Sequence, residues 1–308
     1  MLPEKVRRTA QSRGPAGREW LARLPEHLDH LRTAWSLTLG QVLDGGTTSL
    51  VVRVRSGNRD AVLKIAPDGP EFTDQIRTMS AADGHGYVHI YAHDPQRNAA
   101  LMEPLGPALA NAGTQVEQQL DVLSATLVQA WRVPRPDDVP AHTSTNKAVQ
   151  LIELITALWN QLGEPCPRRL IDQALYFAER RAKAHDFDAC VLCHGDPHPD
   201  NALAVPQPRP GAESGYVFVD PDGLLAEPAY DLGVALRGWT DEVLGSGNPQ
   251  ALLRGYCRRL AMTAGIDEAA IWEWGFVERV SSGLYLLRHG HETEGLTYLA
   301  SANRLMDH

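Results

Sequence analysis

One run of eight residues concentrates polar chemistry: His194-Gly195-Asp196-Pro197-His198-Pro199-Asp200-Asn201. Hydrophobic stretches lead into it and out of it, so it reads as a tight loop between strands. A later hydrophobic stretch, YVFV, ends at Asp220 and is followed by Pro221-Asp222-Gly223. A carboxylate on such a loop can orient an attacking hydroxyl or take its proton. Hard oxygen ligands nearby can hold Mg²⁺, which takes one or two carboxylates together with phosphate oxygens. Asp196 is the candidate base, and Asn201 and Asp220 are the candidate metal ligands. Asp222 offers a second carboxylate, and spacing leaves open which of the two ligates; Asp220 is favoured because it ends the strand. Each Asp or Asn alone is an ordinary turn residue. The ordered set is what points to phosphoryl transfer from a nucleotide.

The elements that must position these groups follow from periodicity. Trp20, Leu21, Leu24, Leu28, Leu31 and Trp35 fall on one helical stripe over 15–35. A β-rich stretch comes next: SLTLGQVL (36–43), the turn DGGTTS (44–49), LVVRVRS (50–56) and AVLKIA (61–66). A helix is predicted over 71–81, then strands at 87–94 and 99–105. From Gly106 the character changes, with helices predicted over 115–130, 146–162 and 168–185. The polar loop and YVFVDPDG follow, joined by a Pro/Gly/Glu/Ser hairpin tip at 206–215, and the remainder reads mainly as helices. This is an α+β order: a β-rich N-terminal lobe, 1–105, with a leading helix, and a mainly helical C-terminal lobe, 106–308.

HGDPHPDN, then VDPDG, then EPAYDLGVAL, in that order, resembles the aminoglycoside phosphotransferase family of kinase-like enzymes. The V-D-P-x-G-L-L form of the second segment, with REWLARLP, TSLVVRV and AVLKIA upstream, is most similar to its streptomycin-phosphotransferase and hydroxyurea-kinase branch. The resemblance covers roughly residues 15–240 and implies a bilobal protein-kinase-like fold. It implies ATP or GTP with Mg²⁺ as cofactors, and a small-molecule acceptor that is cationic if it is an aminoglycoside. It makes Asp196 the catalytic base and Asn201 and Asp220 the Mg²⁺ ligands. Lys64 would pair with the nucleotide phosphates and be held by Glu71, with Asp74 one turn later as the alternative. Glu103 to Leu105 would be the hinge whose backbone meets the base. Gly45, Gly46, Thr47 and Thr48 would cover the phosphates, and His194 and Asp231 would support the loop. Pro197 and Asp200 depart from the family pattern. The rival readings are a kinase for hydroxyurea or another metabolite, and a catalytically silent nucleotide-binding module. The joint presence of Lys64, Asp196, Asn201 and Asp220 argues against silence.

Composition narrows the partners. The 308 residues are 43% hydrophobic and 22% charged, ordinary for a folded chain. Lys and Arg number 29 against 38 Asp and Glu, a net charge of −9. That argues against a general nucleic-acid binder and suits a cationic ligand. Apolar runs are of strand length, which argues against a membrane span. The N-terminus carries basic residues without an apolar core, and the four cysteines are scattered, so a reduced, cytoplasmic protein is expected. There is no G-x-G-x-x-G and no G-x-x-x-x-G-K-[ST]. Cys190 and Cys193 lie near His185, His194 and His198, but C-x-x-C inside an apolar strand is poor zinc-finger geometry. Nothing in the sequence speaks to oligomeric state.

Overall fold

The computed structural model describes residues 2–43, 48–135 and 146–306. The chain opens with helices α1 (Glu4–Ser12) and α2 (Pro15–Ala34). The apolar stripe Trp20, Leu24 and Leu31 of α2 is buried. Helix α1 has no such stripe; its buried residues are Val6 and Ala10, which left no periodic signal.

Five strands follow: β1 (Leu37–Val42), β2 (Leu50–Ser56), β3 (Arg59–Ile65), β4 (Ile90–Asp94) and β5 (Ala99–Met102). They form one antiparallel sheet in the order β1-β2-β3-β5-β4. Strand β3 is central, which explains its apolar sequence. Its Ala61, Leu63 and Ile65 share a core with Trp20, Leu24 and Leu31 of α2. Val62 belongs to the opposite core, with Phe72 and Ile76 of helix α3 (Pro70–Ala82). Because side chains alternate along a strand, Lys64 lies on the α3 side.

The strand expected from residue 87 begins only at Ile90. Tyr87 and Val88 pair instead with Phe218, the Val88 N–H donating to the Phe218 carbonyl at 2.9 Å. This segment ties the sheet to the rest of the molecule. Helix α3 does the same, since Phe72 and Met79 share one core with Leu192, Phe218 and Val280.

Beyond the sheet the chain is mainly helical: α4 (Val116–Ala130), α5 (Lys147–Gln161) and α6 (Arg168–Lys183). Four short strands come next, β6 (Val191–Cys193), β7 (Ala202–Ala204), β8 (Tyr216–Phe218) and β9 (Leu224–Ala226). Strand β6 pairs with β9, and β7 with β8. The polar loop therefore crosses from one small ribbon to the other, and the segment after β8 crosses back. The chain ends with α7 (Pro228–Arg237), α8 (Thr240–Gly245), α9 (Pro249–Ala264), α10 (Glu268–Arg288) and α11 (Glu292–Arg304). Helix α10 packs against α7, α11, α6, α5 and α9 and is buried nearly all round, including its charged Glu273, Glu278 and Arg279, because it is the centre of this part. No helix among the described residues is long and apolar enough to cross a membrane.

Candidate active site

The two crossing segments meet at one end of the small ribbons. Strand β6 delivers the chain to His194, and α7 supplies the carboxylate that holds the turn. Asp231 is fully buried; its Oδ2 accepts from the His194 N–H at 2.9 Å and its Oδ1 from the Gly195 N–H at 2.8 Å. Trp131 Nε1 also donates to Asp231 Oδ2, at 2.8 Å. A buried carboxylate that accepts from three N–H donors is a strong local anchor. His194 is buried too, and burial lowers its pKa, favouring the neutral ring. Its Nδ1 accepts from the Asp196 N–H at 3.1 Å, which assigns the proton to Nε2, 3.0 Å from the Val219 carbonyl. Gly195 has φ +89°, and a Cβ there would stand 2.6 Å from Asp222 Oδ2, so the approach requires glycine.

This bracing presents Asp196. Arg237, the last residue of α7, donates to Asp196 Oδ1, and His198 Nε2 lies 3.4 Å from Oδ2. Burial works against the Asp196 charge, but the contact with His198 and the charges of Arg237 and His198 win and lower its carboxyl to about 2. The second arm of Arg237 reaches buried Glu278 at 3.4 Å. Burial disfavours the Arg237 charge as well; Asp196 and Glu278 more than offset this and raise its pKa. Sequence reasoning missed Arg237, and offered Glu278 only among the acids of the C-terminal lobe that could line an acceptor pocket. The available signal was a basic residue closing an otherwise apolar helix, PAYDLGVALR, in which Asp231 is the other charge. Asn201 donates from Nδ2 to the Asp196 carbonyl at 3.0 Å, which keeps its side-chain oxygen available as a ligand.

On the returning segment, Asp220 follows β8 in the left-handed region, φ +59°, a conformation Asp tolerates better than most residues. Its Oδ1 takes an ion pair from Lys64, which is itself buried. Lys64 also lies 3.4 Å from Gln75 Oε1. The expected Lys64–Glu71 ion pair is therefore corrected. Glu71 is exposed in the first turn of α3, and the residue facing Lys64 is one turn further on. Asp74, the alternative, pairs with Arg77. Asp222 sits on the other side of the bend, its N–H donating to the His194 carbonyl at 2.6 Å. Its carboxyl is open to the cleft yet walled by protein. That desolvation, with the charge of Asp196, pushes it up to about 6.

Glu103 and Leu105 follow β5. The Glu103 N–H donates to the His89 carbonyl at 3.0 Å, and its carboxylate takes the His89 N–H at 2.9 Å and Arg209. The Leu105 N–H has no partner among the described residues. Gly45, Gly46 and Thr47 lie outside the described residues; Thr48 is placed at the entry to β2, its Oγ1 3.5 Å from Ser49 Oγ. The cysteine cluster is turned inward, with Cys193 Sγ 3.5 Å from the Ala226 carbonyl and Cys190 Sγ 3.9 Å from His185 Nδ1.

Contacts thus link Lys64 to Asp220, and Asp196 to Asn201 and Asp222, with Asp231 and His194 behind the loop. Comparison with known proteins gives the family and the fold. Over 293 residues the chain is 26% identical to streptomycin 6-kinase of Streptomyces glaucescens, covering 94% of this chain and 92% of the relative. It is 28% identical over 229 residues to hydroxyurea phosphotransferase of Kitasatospora aureofaciens, covering 72% and 64%. The fold matches that of an aminoglycoside phosphotransferase solved as a thermostable mutant with ADP and hygromycin B, at TM-score 0.59 and 11% identity, covering 90% of this chain and 96% of that one. It is a kinase-like fold, with the sheet in the N-terminal part and most helices in the C-terminal part. The model of the Phosphotransferase enzyme family matches residues 40–272, from within β1 to the start of α10, and so takes in every group of the cleft: this chain belongs to that family and is a phosphotransferase.

Proposed function

We propose that the protein moves the terminal phosphate of a nucleotide to a hydroxyl of a small molecule, an aminoglycoside such as streptomycin, in a Mg²⁺-dependent reaction. The observation that carries the chemistry is the braced Asp196 loop, tied through Asn201 to the segment on which Asp220 pairs with Lys64. Asp196, ionised through the neutral range, accepts a hydrogen bond from the acceptor hydroxyl and aims its oxygen at the phosphorus. With a carboxyl held near 2 it orients the hydroxyl more than it stores the proton. Arg237 keeps that carboxylate charged and fixed. Lys64 binds phosphate oxygens, and the segment Glu103 to Leu105 presents the Leu105 N–H to the base.

Two carboxylates and an amide oxygen, from Asp220, Asp222 and Asn201, are the hard donors that suit Mg²⁺. They would hold it, and when bound it would neutralise charge on the phosphates. The acceptor class rests on the streptomycin 6-kinase relative, which is matched over nearly its whole length. A net charge of −9 is compatible with a cationic acceptor. Hydroxyurea is the second reading, favoured by the shorter match to its phosphotransferase. The test is nucleotide consumption against a panel of aminoglycosides, hydroxyurea and small hydroxylated metabolites, with ATP and GTP in separate arms. Turnover with streptomycin is expected. If no aminoglycoside is phosphorylated or bound at millimolar concentration, the acceptor assignment is wrong.

A further inference from the structure

The connection between β7 and β8, a plain hairpin tip by its sequence, sends one side chain far from home. Arg209 donates to both carboxylate oxygens of Glu103, with Nε 3.2 Å from Oε2. It also donates to the carbonyls of Gly84 and Tyr87, the latter at 3.1 Å, and to that of Pro210 at 3.1 Å. Its side chain is 22% exposed and that of Glu103 only 11%. A bidentate, largely buried guanidinium–carboxylate pair is geometrically demanding, and the three carbonyls use the remaining N–H groups.

The backbone is pinned at the same place. The Gly86 N–H donates to the Gly211 carbonyl and the Gly106 N–H to the Ala204 carbonyl, both at 2.7 Å. Gly211 has φ +79°, and a Cβ there would come within 2.7 Å of His85 Cα, so the tip is pressed directly on the α3–β4 connection. The hairpin has two other ends of consequence. Asn201 immediately precedes β7, and Asp220 lies just beyond β8. One ribbon therefore carries two metal-ligand candidates at its base and holds the 103–106 segment through Ala204 and Arg209.

We propose that Arg209 is a positioning residue for the nucleotide: by holding Glu103 it sets the Glu103–Leu105 backbone that meets the base, in register with the phosphate end of the site. This rests on the reading of that segment as the base-binding hinge. A role in stability alone would lower melting temperature without separating base from phosphate recognition.

The test is calorimetric titration of the full chain with ATP, GTP and inorganic triphosphate, each with Mg²⁺, on the unaltered protein, Arg209→Met and Arg209→Lys. Thermal melts show that each variant is folded. Arg209→Met is expected to weaken ATP or GTP roughly five- to tenfold and to compress the preference between them, with inorganic triphosphate unchanged. In steady state the KM for nucleotide should rise more than kcat falls. Arg209→Lys, which keeps the charge but not the fork, should recover only part of the loss. Unaltered nucleotide affinity in Arg209→Met, or an equal loss for inorganic triphosphate, overturns the proposal and leaves the hinge reading standing. Absence of any preference for ATP or GTP over inorganic triphosphate in the unaltered protein overturns both.

Discussion

At the scale of single residues, the decisive contact is the one between Arg237 and Asp196. A partly buried carboxylate without such partners would drift toward protonation. Here the contact with His198 and the Arg237 guanidinium hold it near 2 instead. Arg237→Met removes the cation and leaves Glu278 buried without that partner. The Asp196 carboxyl should then rise, so the acidic limb of the kcat/KM profile moves to higher pH, and turnover at neutral pH falls roughly tenfold or more. A profile identical to that of the unaltered enzyme would remove Arg237 from the account. The neighbouring pair of carboxylates divides by contact: Asp220 faces Lys64, and Asp222 faces Gly195 and Asp196. Asp220→Ala is expected to lose more Mg²⁺-dependent nucleotide affinity than Asp222→Ala in calorimetric titration; the reverse order exchanges their roles.

At the scale of elements, α7 does the organising. Its first turn holds the loop through Asp231, its last residue holds Asp196, and its N-cap, Glu227, is half-buried against α10. Glu227 Oε1 accepts from Trp274 Nε1 at 2.7 Å, and Arg181 lies 3.6 Å from Oε2. Burial nevertheless raises the Glu227 pKa. A carboxyl raised in the folded state favours folding while protonated, and that benefit is lost as pH rises through the raised value. Glu227→Gln keeps an acceptor for Trp274 and removes the charge. It should therefore melt higher than the unaltered protein at pH 8, with the gap closing toward pH 4. A gap that widens toward low pH would contradict this sign.

Helices and strands were legible where one face is apolar at a fixed period, as in α2 and β3. Helix α1 was not, because two small buried residues make no stripe. The loop groups were legible because Asp196, Asn201 and Asp220 lie within one short stretch of chain. Gln75, Arg209 and Arg237 were not. Gln75 is uncharged where an acid was sought. Arg209 meets Glu103 across 106 positions of sequence, and Arg237 meets Asp196 across 41. Pairings of that kind are made by the fold and leave no local pattern.

For the whole molecule, the question is how far charge outside the cleft assists capture. A net charge of −9 attracts a polycation at long range, but exposed charges are screened over about 8 Å at physiological ionic strength. If the acceptor is a polycation such as streptomycin, its KM should therefore rise with added salt while kcat at saturation changes little. Hydroxyurea, being neutral, should show almost no such dependence. Salt-independent KM for a cationic acceptor would mean that its recognition is confined to the pocket. The central claim is that Asp196 directs a phosphate from nucleotide to acceptor. It is tested most directly by acceptor-dependent nucleotide consumption in the unaltered protein and in Asp196→Asn, with Mg²⁺ and nucleotide saturating. The account predicts a loss of roughly 10²–10⁴-fold in kcat with nucleotide affinity retained. Turnover by folded Asp196→Asn at the rate of the unaltered protein would contradict it.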